Sequence, residues 1–161
     1  MPAGLATIGV YGFDGDSFFA ALDRAGVGLV LDVRQRRGVR GPQYAWANAV
    51  RLQGRLAQEG VEYRHLKELA PTTELRRLQY RADDAAGVGK RSRERLAPEY
   101  VERYMAEVLG RVDLGSLAAS LPEDTVSALL CVERDPGACH RSLAAERLAA
   151  ELRQPARHLL P

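Results

Sequence analysis

Short apolar runs alternate along the chain with segments in which apolar residues recur at helical spacing. The apolar runs are rich in Val, Ile and Leu and predict β-strands. They cover Ala6–Tyr11, Val27–Val33, Val61–Leu66, Thr125–Glu133 and, at the end of the chain, Arg157–Leu160. The amphipathic segments predict helices over Ser17–Ala25, Tyr44–Glu59, Pro71–Tyr80, Cys139–Leu152 and from Pro98 to about Gly110. Asp16 is the predicted N-cap of the first helix, and Thr72 or Thr73 that of the third.

This alternation of strands and helices predicts an α/β fold. We expect one domain over residues 1–161, with a mainly parallel sheet of about four or five strands and helices on both faces. In such sheets ligands bind beyond the carboxyl ends of the strands. Residues that follow different strands are therefore expected to be neighbours in space.

The amino-acid composition excludes a membrane protein. The chain is 46% hydrophobic and 27% charged, and no apolar run approaches the roughly 18 residues that a membrane span needs. Its first residues lack the basic and apolar regions of a secretory signal, so we expect a cytoplasmic protein without a membrane partner. Two cysteines do not make a disulfide framework, so both are expected to be thiols.

Charge is unevenly distributed although the net charge is only +2. Residues 34–95 hold fifteen basic and seven acidic side chains, while the rest of the chain holds eight basic and fourteen acidic ones. The resulting net charge of +8 in the middle of the chain indicates an anionic partner. Within it, the segment at about 82–96 is charged, contains glycines and has little to bury, so we expect it to be mobile.

The loop after the second strand is the candidate anion-binding site. It carries Arg34, Arg36 and Arg40 among glycines, and guanidinium forks near a strand end suit phosphate. A solvated basic loop is the simpler alternative. Asp32, just before it, is interpreted as a catalytic carboxylate, as an orienting partner of Arg34, or as a structural hydrogen-bond acceptor. Tyr11 and Gly12 follow the first strand.

Tyr11 and Gly12 are assigned to ligand binding, since a Tyr ring can stack on a ligand or donate a hydrogen bond to it. Covering the sheet edge is an equally open role for Tyr11. Three further groups are the expected acid and base catalysts: Glu133, His65 and His140. For Glu133, a salt bridge that fixes its loop is the alternative.

Cys139, His140 and Arg141 lie at a predicted helix start, where free amides and the helix dipole lower a thiol's pKa. Cys139 is therefore a candidate nucleophile or metal ligand, and Arg141 a candidate phosphate ligand. Arg141 follows Cys139 by only two positions, which excludes the phosphatase type of loop with several amides between the Cys and the Arg. Cys131 is interpreted as a small core residue.

A metal site of Cys131, Cys139 and His140, with His65 as a further ligand, is the remaining alternative. Seven residues separate the two cysteines, which is not a recognised zinc spacing. No metal and no cofactor is therefore assigned from the sequence.

Six motifs make the chain resemble the prokaryotic family catalogued as domain of unknown function 488. They are Thr7-Ile8-Gly9 with Tyr11, Asp32-Val33-Arg34, Tyr63-Arg64-His65-Leu66, Leu130-Cys131-Val132-Glu133, Asp135-Pro136 and Cys139-His140-Arg141. Ala70 departs from the family, which has a Gly soon after the Tyr-x-His-Leu motif. The resemblance supports the α/β fold and implies no particular activity.

Together these features predict an enzyme that acts on a phosphate-bearing ligand, a nucleotide or a nucleic acid, by hydrolysis or group transfer. Two alternatives stay open. One is a non-catalytic nucleic-acid-binding module that uses the basic segment over residues 34–95. The other is a thiol or zinc protein centred on Cys139.

Overall fold

Five strands form one all-parallel sheet, which confirms the predicted fold class. The computed structural model describes residues 1–161. The strands are β1 (Gly4–Ile8), β2 (Val27–Asp32), β3 (Glu62–His65), β4 (Val126–Leu130) and β5 (Ala156–Leu159), in the spatial order β3-β2-β4-β1-β5. The helices are α1 (Gly15–Arg24), α2 (Ala49–Gln58), α3 (Thr73–Ala86), α4 (Pro98–Glu107), α5 (Leu114–Ala119) and α6 (His140–Leu152).

Crossover handedness places the helices in two layers. Successive connections run in one direction from β1 to β3 and in the other from β3 to β5, so right-handed crossovers put their helices on opposite faces. Helix α1 contacts β2 and α2 contacts β3, whereas α4 and α5 pack on α6, and α6 packs on β1. The neighbours β2 and β4 therefore send their following loops to opposite faces, which opens a crevice between these two strand ends.

The three central strands form the core. Every residue of β4 is buried, as are nearly all residues of β1 and β2, while β3 and β5 at the two edges are largely half-exposed. Leu residues from all three central strands pack with Phe18, Leu52, Leu56 and Leu148 from helices on both faces. This continuous core fixes where the strand ends lie.

Several element boundaries differ from the sequence prediction. Asp14, not Asp16, is the N-cap of α1, because its carboxylate accepts a 2.7 Å hydrogen bond from Ser17 N while Ser17 Oγ accepts one from Asp14 N. The helix predicted over Tyr44–Glu59 is a 3-10 helix (Pro42–Ala47) followed by α2. Asn48 separates the two with an extended backbone conformation.

The middle of the chain contains more helix than the sequence analysis predicts. Thr72 caps α3 as expected, but α3 continues to Ala86 and ends at Gly87 in the left-handed region. The first residues of the segment at about 82–96 are thus helical; its predicted mobility stays a prediction. Helix α5, which the sequence analysis did not predict, is short and capped by Asp113.

Helix length and polarity also bear on membrane insertion. None of the helices combines the length and the apolar character that crossing a bilayer requires.

A glycine after β1 lets two strand-end loops come together. A Cβ on Gly9 would overlap the carbonyl oxygen of Glu133 and lie 3.2 Å from Arg141 Nη1. We expect Gly9→Ala to lower the free energy of unfolding by about 1–3 kcal/mol, as overpacking does. The control is Gly54→Ala in α2, where nothing lies within 4 Å of the added Cβ and a gain of up to about 1 kcal/mol is expected.

Urea denaturation of both variants measures these changes. If the urea midpoint of the Gly9→Ala variant equals that of the unmodified protein, the loop that carries Glu133 moves away from the added Cβ without a loss of stability.

Candidate functional site

A cavity of about 680 Å³ opens at the carboxyl edge of the sheet, in the crevice between the loops that follow β2 and β4. The first half of α3 and the chain between α3 and α4 form its other wall. Of the residues predicted from the sequence, Tyr11, Arg34, Arg36, Arg40, Glu133, Cys139 and His140 line it. The structure thus brings together residues from three strand ends, as the parallel topology predicts.

Arg34 and Asp32 form a buried ion pair beneath this cavity. Arg34 Nε donates to Asp32 Oδ1 at 2.9 Å, and Nη2 donates to Oδ2 at 2.8 Å. The remaining Arg34 Nη1 donates to the carbonyl of Ala47 at 2.8 Å. All three guanidinium nitrogens therefore have protein partners, and the side chain is only 1% exposed. These contacts favour the orienting, structural role of Asp32 over a catalytic one, and they leave Arg34 no nitrogen without a partner.

Two residues of β3 complete this structural unit. The Tyr63 hydroxyl donates to Asp32 Oδ2 at 2.6 Å, and His65 Nε2 donates to the Arg34 carbonyl at 2.9 Å. Neither Asp32 nor His65 lines the cavity. The structure therefore does not bring His65 to the other predicted acid and base groups.

Arg141 is also structural. It is fully buried, and its Nη1 and Nη2 atoms donate to the carbonyls of Glu133 and Arg134 at 2.6 and 3.3 Å. It closes the loop after β4 and does not line the cavity. Gly12 is likewise outside the cavity; its amide donates to the Tyr44 hydroxyl at 3.4 Å, and its φ of 93° suits glycine. The structure does not bring these two predicted ligand-binding residues to the cavity.

A network of buried charges joins the β4 loop to α3. Arg93 Nη2 donates to Glu133 Oε1 at 2.8 Å, and its Nη1 donates to Asp83 Oδ2 at 2.6 Å. Arg93 Nε donates to the Ala138 carbonyl at 3.2 Å. Gln79 holds the other oxygen of Asp83 at 2.8 Å. This arrangement gives Glu133 the salt bridge that the sequence analysis named as its alternative role, while leaving Oε2 outside that bridge.

Cys131, Cys139 and His140 form the floor of the cavity beside Glu133. The Nδ1 atom of His140 lies 3.8 Å from Cys131 Sγ and 3.8 Å from Cys139 Sγ. Glu133 Oε2 lies 3.5 Å from Cys131 Sγ. Cys131, assigned to the core from the sequence, does contact the core and also lines the cavity.

Burial and neighbouring charges shift the pKa values of the side chains on this floor. Burial acts to raise the pKa of the Cys139 thiol, but the hydrogen bond with Cys131 and the positive charges of His140 and Arg141 together bring that pKa well below its usual value. Burial and the neighbouring Cys139 raise the pKa of Cys131. Burial and Cys139 likewise raise the pKa of Glu133, against Lys90 and Arg93. The floor can supply a thiolate, a proton acceptor and ligands for a soft metal ion.

Five cations face the cavity without a carboxylate partner. They are Arg36, Arg40, Arg76, Lys90 and Arg91; no carboxylate lies within salt-bridge distance of any of them. Burial acts to lower the pKa of Lys90, but Glu133 together with Tyr80, Cys131 and Tyr11 outweighs it, and the pKa is raised above its usual value. The Arg91 guanidinium carbon lies 5.1 Å from the Tyr11 ring centroid and 5.4 Å from that of Tyr44.

Sequence reasoning did not single out Arg76, Tyr80 and Lys90 as site residues. Arg76, Tyr80 and Asp83 are spaced four and three apart in α3, so they share one helix face. The sequence could have shown this polar helix face from the residue spacing, but only the folded chain shows that it points at the cavity. Arg93 belongs to the basic segment over residues 34–95 that the sequence analysis offered for nucleic-acid binding, but the structure buries it.

The fold and the cavity define an α/β domain with a basic site at the carboxyl edge of a parallel sheet. Residues 14–148 match the family described as Domain of unknown function DUF488. Because the match covers most of the chain, the protein belongs to this family, which confirms the resemblance seen in the motifs. Searches of curated proteins and of solved structures found no match.

The Asp32–Arg34 pair leads to a stability prediction. Arg34→Met keeps most of the side-chain volume but leaves Asp32 as a buried carboxylate without its cation, which costs about 3–5 kcal/mol. Arg36→Met is the matched control, since Arg36 is exposed and forms no ion pair; a change within about 0.5 kcal/mol is expected. Chemical denaturation of both variants is the measurement. Equal midpoints for the two would contradict the structural role of Arg34.

Proposed function

We propose that the protein is an enzyme that acts on a phosphate-bearing ligand, a nucleotide or a nucleic acid, by hydrolysis or group transfer. The observation that carries the proposal is the charge of the cavity. Seven of its lining residues are Arg or Lys, and Glu133 is the only carboxylate among them. Two of the seven, Arg34 and Arg93, are neutralised by buried carboxylates, so five charges remain for a ligand.

Leaving these five cations without carboxylate partners costs free energy through their mutual repulsion. Charged surfaces ordinarily intersperse both signs, so a single-sign concave site is expected where a ligand supplies the opposite charge. Phosphate is the group that Arg forks and Lys recognise best, because it offers several acceptor oxygens and more than one negative charge. The set therefore favours a phosphate over a simple carboxylate.

The dimensions favour a small ligand or the end of a chain. A volume of about 680 Å³ lies within the range of roughly 300–1,000 Å³ typical of small-molecule sites. The unpaired cations point into a concavity rather than along a flat face. This favours the enzyme over the non-catalytic nucleic-acid-binding module.

An aromatic pair at the rim supports a nucleotide in particular. The rings of Tyr11 and Tyr44 lie 5.3 Å apart and are tilted, and Arg91 covers both. Planar guanidinium and phenol groups stack on bases. A base at the rim would leave the phosphate next to the cations inside.

The floor supplies groups for the reaction. In hydrolysis, the carboxylate of Glu133 would accept a proton from water while the water oxygen attacks. The bond to the leaving group would then break, and the leaving group would take up that proton from Glu133. In group transfer, a hydroxyl of the acceptor would replace the water. His140 and Cys139 line the same floor and are the remaining groups of this kind.

Ligand-linked stabilisation tests the binding part of the proposal. We expect one mononucleotide to raise the melting temperature selectively in a panel that also holds phosphate, sulfate and single- and double-stranded oligonucleotides. A ligand at about 100 times its Kd stabilises the folded state by about 2.7 kcal/mol. A shift with every polyanion, steeply weakened by salt, would favour the binding module instead.

The same panel, run on variants, locates the site. Arg36→Ala and Arg40→Ala each remove one charged hydrogen-bond donor, worth about 1.5–3 kcal/mol, so the affinity for the nucleotide is expected to fall by about 10–100-fold. The control is Arg51→Ala, because Arg51 is exposed on α2, outside the cavity. An equal loss for the Arg51 variant would place the binding elsewhere.

Glu133→Gln tests the chemical step. The amide has the shape of the carboxylate and can still accept the hydrogen bond from Arg93, but it cannot accept a proton. Turnover of the nucleotide that stabilises the protein is expected to fall by about 10²–10⁴-fold, with its affinity changed much less. Product formation is followed by chromatography; full activity in this variant would remove Glu133 from the reaction.

A further inference from the structure

We propose that Cys131, Cys139 and His140 bind one zinc ion at the floor of the cavity. Among the common divalent ions, zinc is the one that favours a donor set of two thiolates and one imidazole. This inference goes beyond the proposed function and does not depend on it, because the ion would bind whatever ligand the cavity accepts.

The separations between donor atoms fit a tetrahedral ion. In a site with ligands at the usual zinc distances of about 2.3 Å for sulfur and 2.0 Å for nitrogen, neighbouring donor atoms lie about 3.5–3.8 Å apart. The observed distance from His140 Nδ1 is 3.8 Å to each sulfur. All three donor atoms lie within 4.8 Å of one another. Only small movements are needed to place them around one ion.

The His140 ring is already oriented for a metal. Its Nε2 atom lies 2.8 Å from the carbonyl oxygen of Val33, which can only accept a hydrogen bond. Nε2 therefore carries a proton, and in the neutral ring the lone pair is on Nδ1, which faces both sulfurs. Metal-binding histidines commonly donate their second ring nitrogen to a carbonyl in this way.

The backbone holds the ligands at element ends rather than in a free loop. Cys131 directly follows β4, Cys139 is the N-cap of α6, and His140 is the first residue of that helix. The loop between the cysteines is closed by Arg141 and by Arg93, which donates to the carbonyl just before Cys139. Preorganised ligands on buried, packed elements are what a tight metal site needs.

The symmetry of the contacts distinguishes a metal site from an activated nucleophile. A thiol–imidazole catalytic pair needs one sulfur beside the ring nitrogen. Here the nitrogen is equally distant from two sulfurs, and both cysteines are buried. One ion bound by all three donors accounts for the second cysteine, which a nucleophile does not.

The site is open to the cavity. Only three protein ligands are in place, and all three line the cavity. Glu133 Oε2, 3.5 Å from Cys131 Sγ, is close enough to serve as a fourth ligand or to contact a water bound there. Three protein ligands with an accessible fourth position are the arrangement of catalytic zinc sites, in which the ion lowers the pKa of bound water.

Metal titration of the full chain tests the site. Protein stripped of metal is titrated with Zn²⁺ in competition with a chromophoric chelator, and one ion per chain is expected. Co²⁺ in place of Zn²⁺ is expected to show thiolate charge-transfer bands and the intense visible bands of tetrahedral coordination. Cys131→Ser, Cys139→Ser and His140→Gln are each expected to weaken zinc binding by at least 100-fold. His65→Gln is the control and is expected to retain it.

Thiol labelling keeps the test independent of variants that fold poorly. The chain has only two cysteines, so zinc is expected to protect both thiols of the unmodified protein from a thiol reagent. A folded protein that binds no zinc, or binds it equally after both serine substitutions, would overturn the site. A single thiol that reacts rapidly with no metal bound would make Cys139 a nucleophile instead. Zinc binding without any nucleotide shift would leave the site intact and remove only the proposed function.

Discussion

Burial of charge at the carboxyl edge of the sheet is the constraint on which the site depends. Three arginines are buried there: Arg34, Arg93 and Arg141. Each holds chain segments together that no regular element connects. Arg34 links the loop after β2 to Ala47, and Arg93 links α3 to the loop after β4. Arg141 donates to two carbonyls of that same loop. All guanidinium nitrogens of the three arginines except Arg141 Nε donate to protein acceptors. A buried guanidinium is costly without such partners, so these loops have little freedom to move independently.

That constraint also separates structural cations from those available to a ligand. The sequence presents Arg34, Arg36 and Arg40 as one basic loop, and charge alone makes them equivalent. In the structure Arg34 is saturated by Asp32 and the Ala47 carbonyl, whereas Arg36 and Arg40 are exposed and without a carboxylate. The partners of each cation, more than its presence in a motif, therefore determine its role.

Much of the fold could be predicted from the sequence, because it follows from local patterns and one topological rule. Apolar runs predict the strands, and parallel pairing alone predicts that Arg36, Glu133 and His140 lie at one edge of the sheet. The pairing of charges could not be predicted, since Arg93 meets Glu133 only after α3 and the chain following it fold over the β4 loop. Gly9 and Asn48 likewise act through contacts with distant segments. The cysteine spacing matches no known zinc motif, because the two sulfurs meet only when the loop after β4 returns the chain to the start of α6.

Charge balance connects the buried network to the zinc site. With an ion bound, the floor would hold four negative groups, the two thiolates, Glu133 and Asp83, against the three positive charges of Zn²⁺ and Arg93. Without the ion, the thiolates would add their charge to that of Glu133 and Asp83, whose salt-bridge partner Arg93 is already shared between the two carboxylates. Because Arg93 and Lys90 come from the segment over residues 87–96, the ordering of that segment and the occupancy of the metal site are expected to be energetically coupled. The basic segment would then have two separate tasks: Arg93 pairs with the carboxylates of the floor, while Lys90 and Arg91 remain for an anionic ligand.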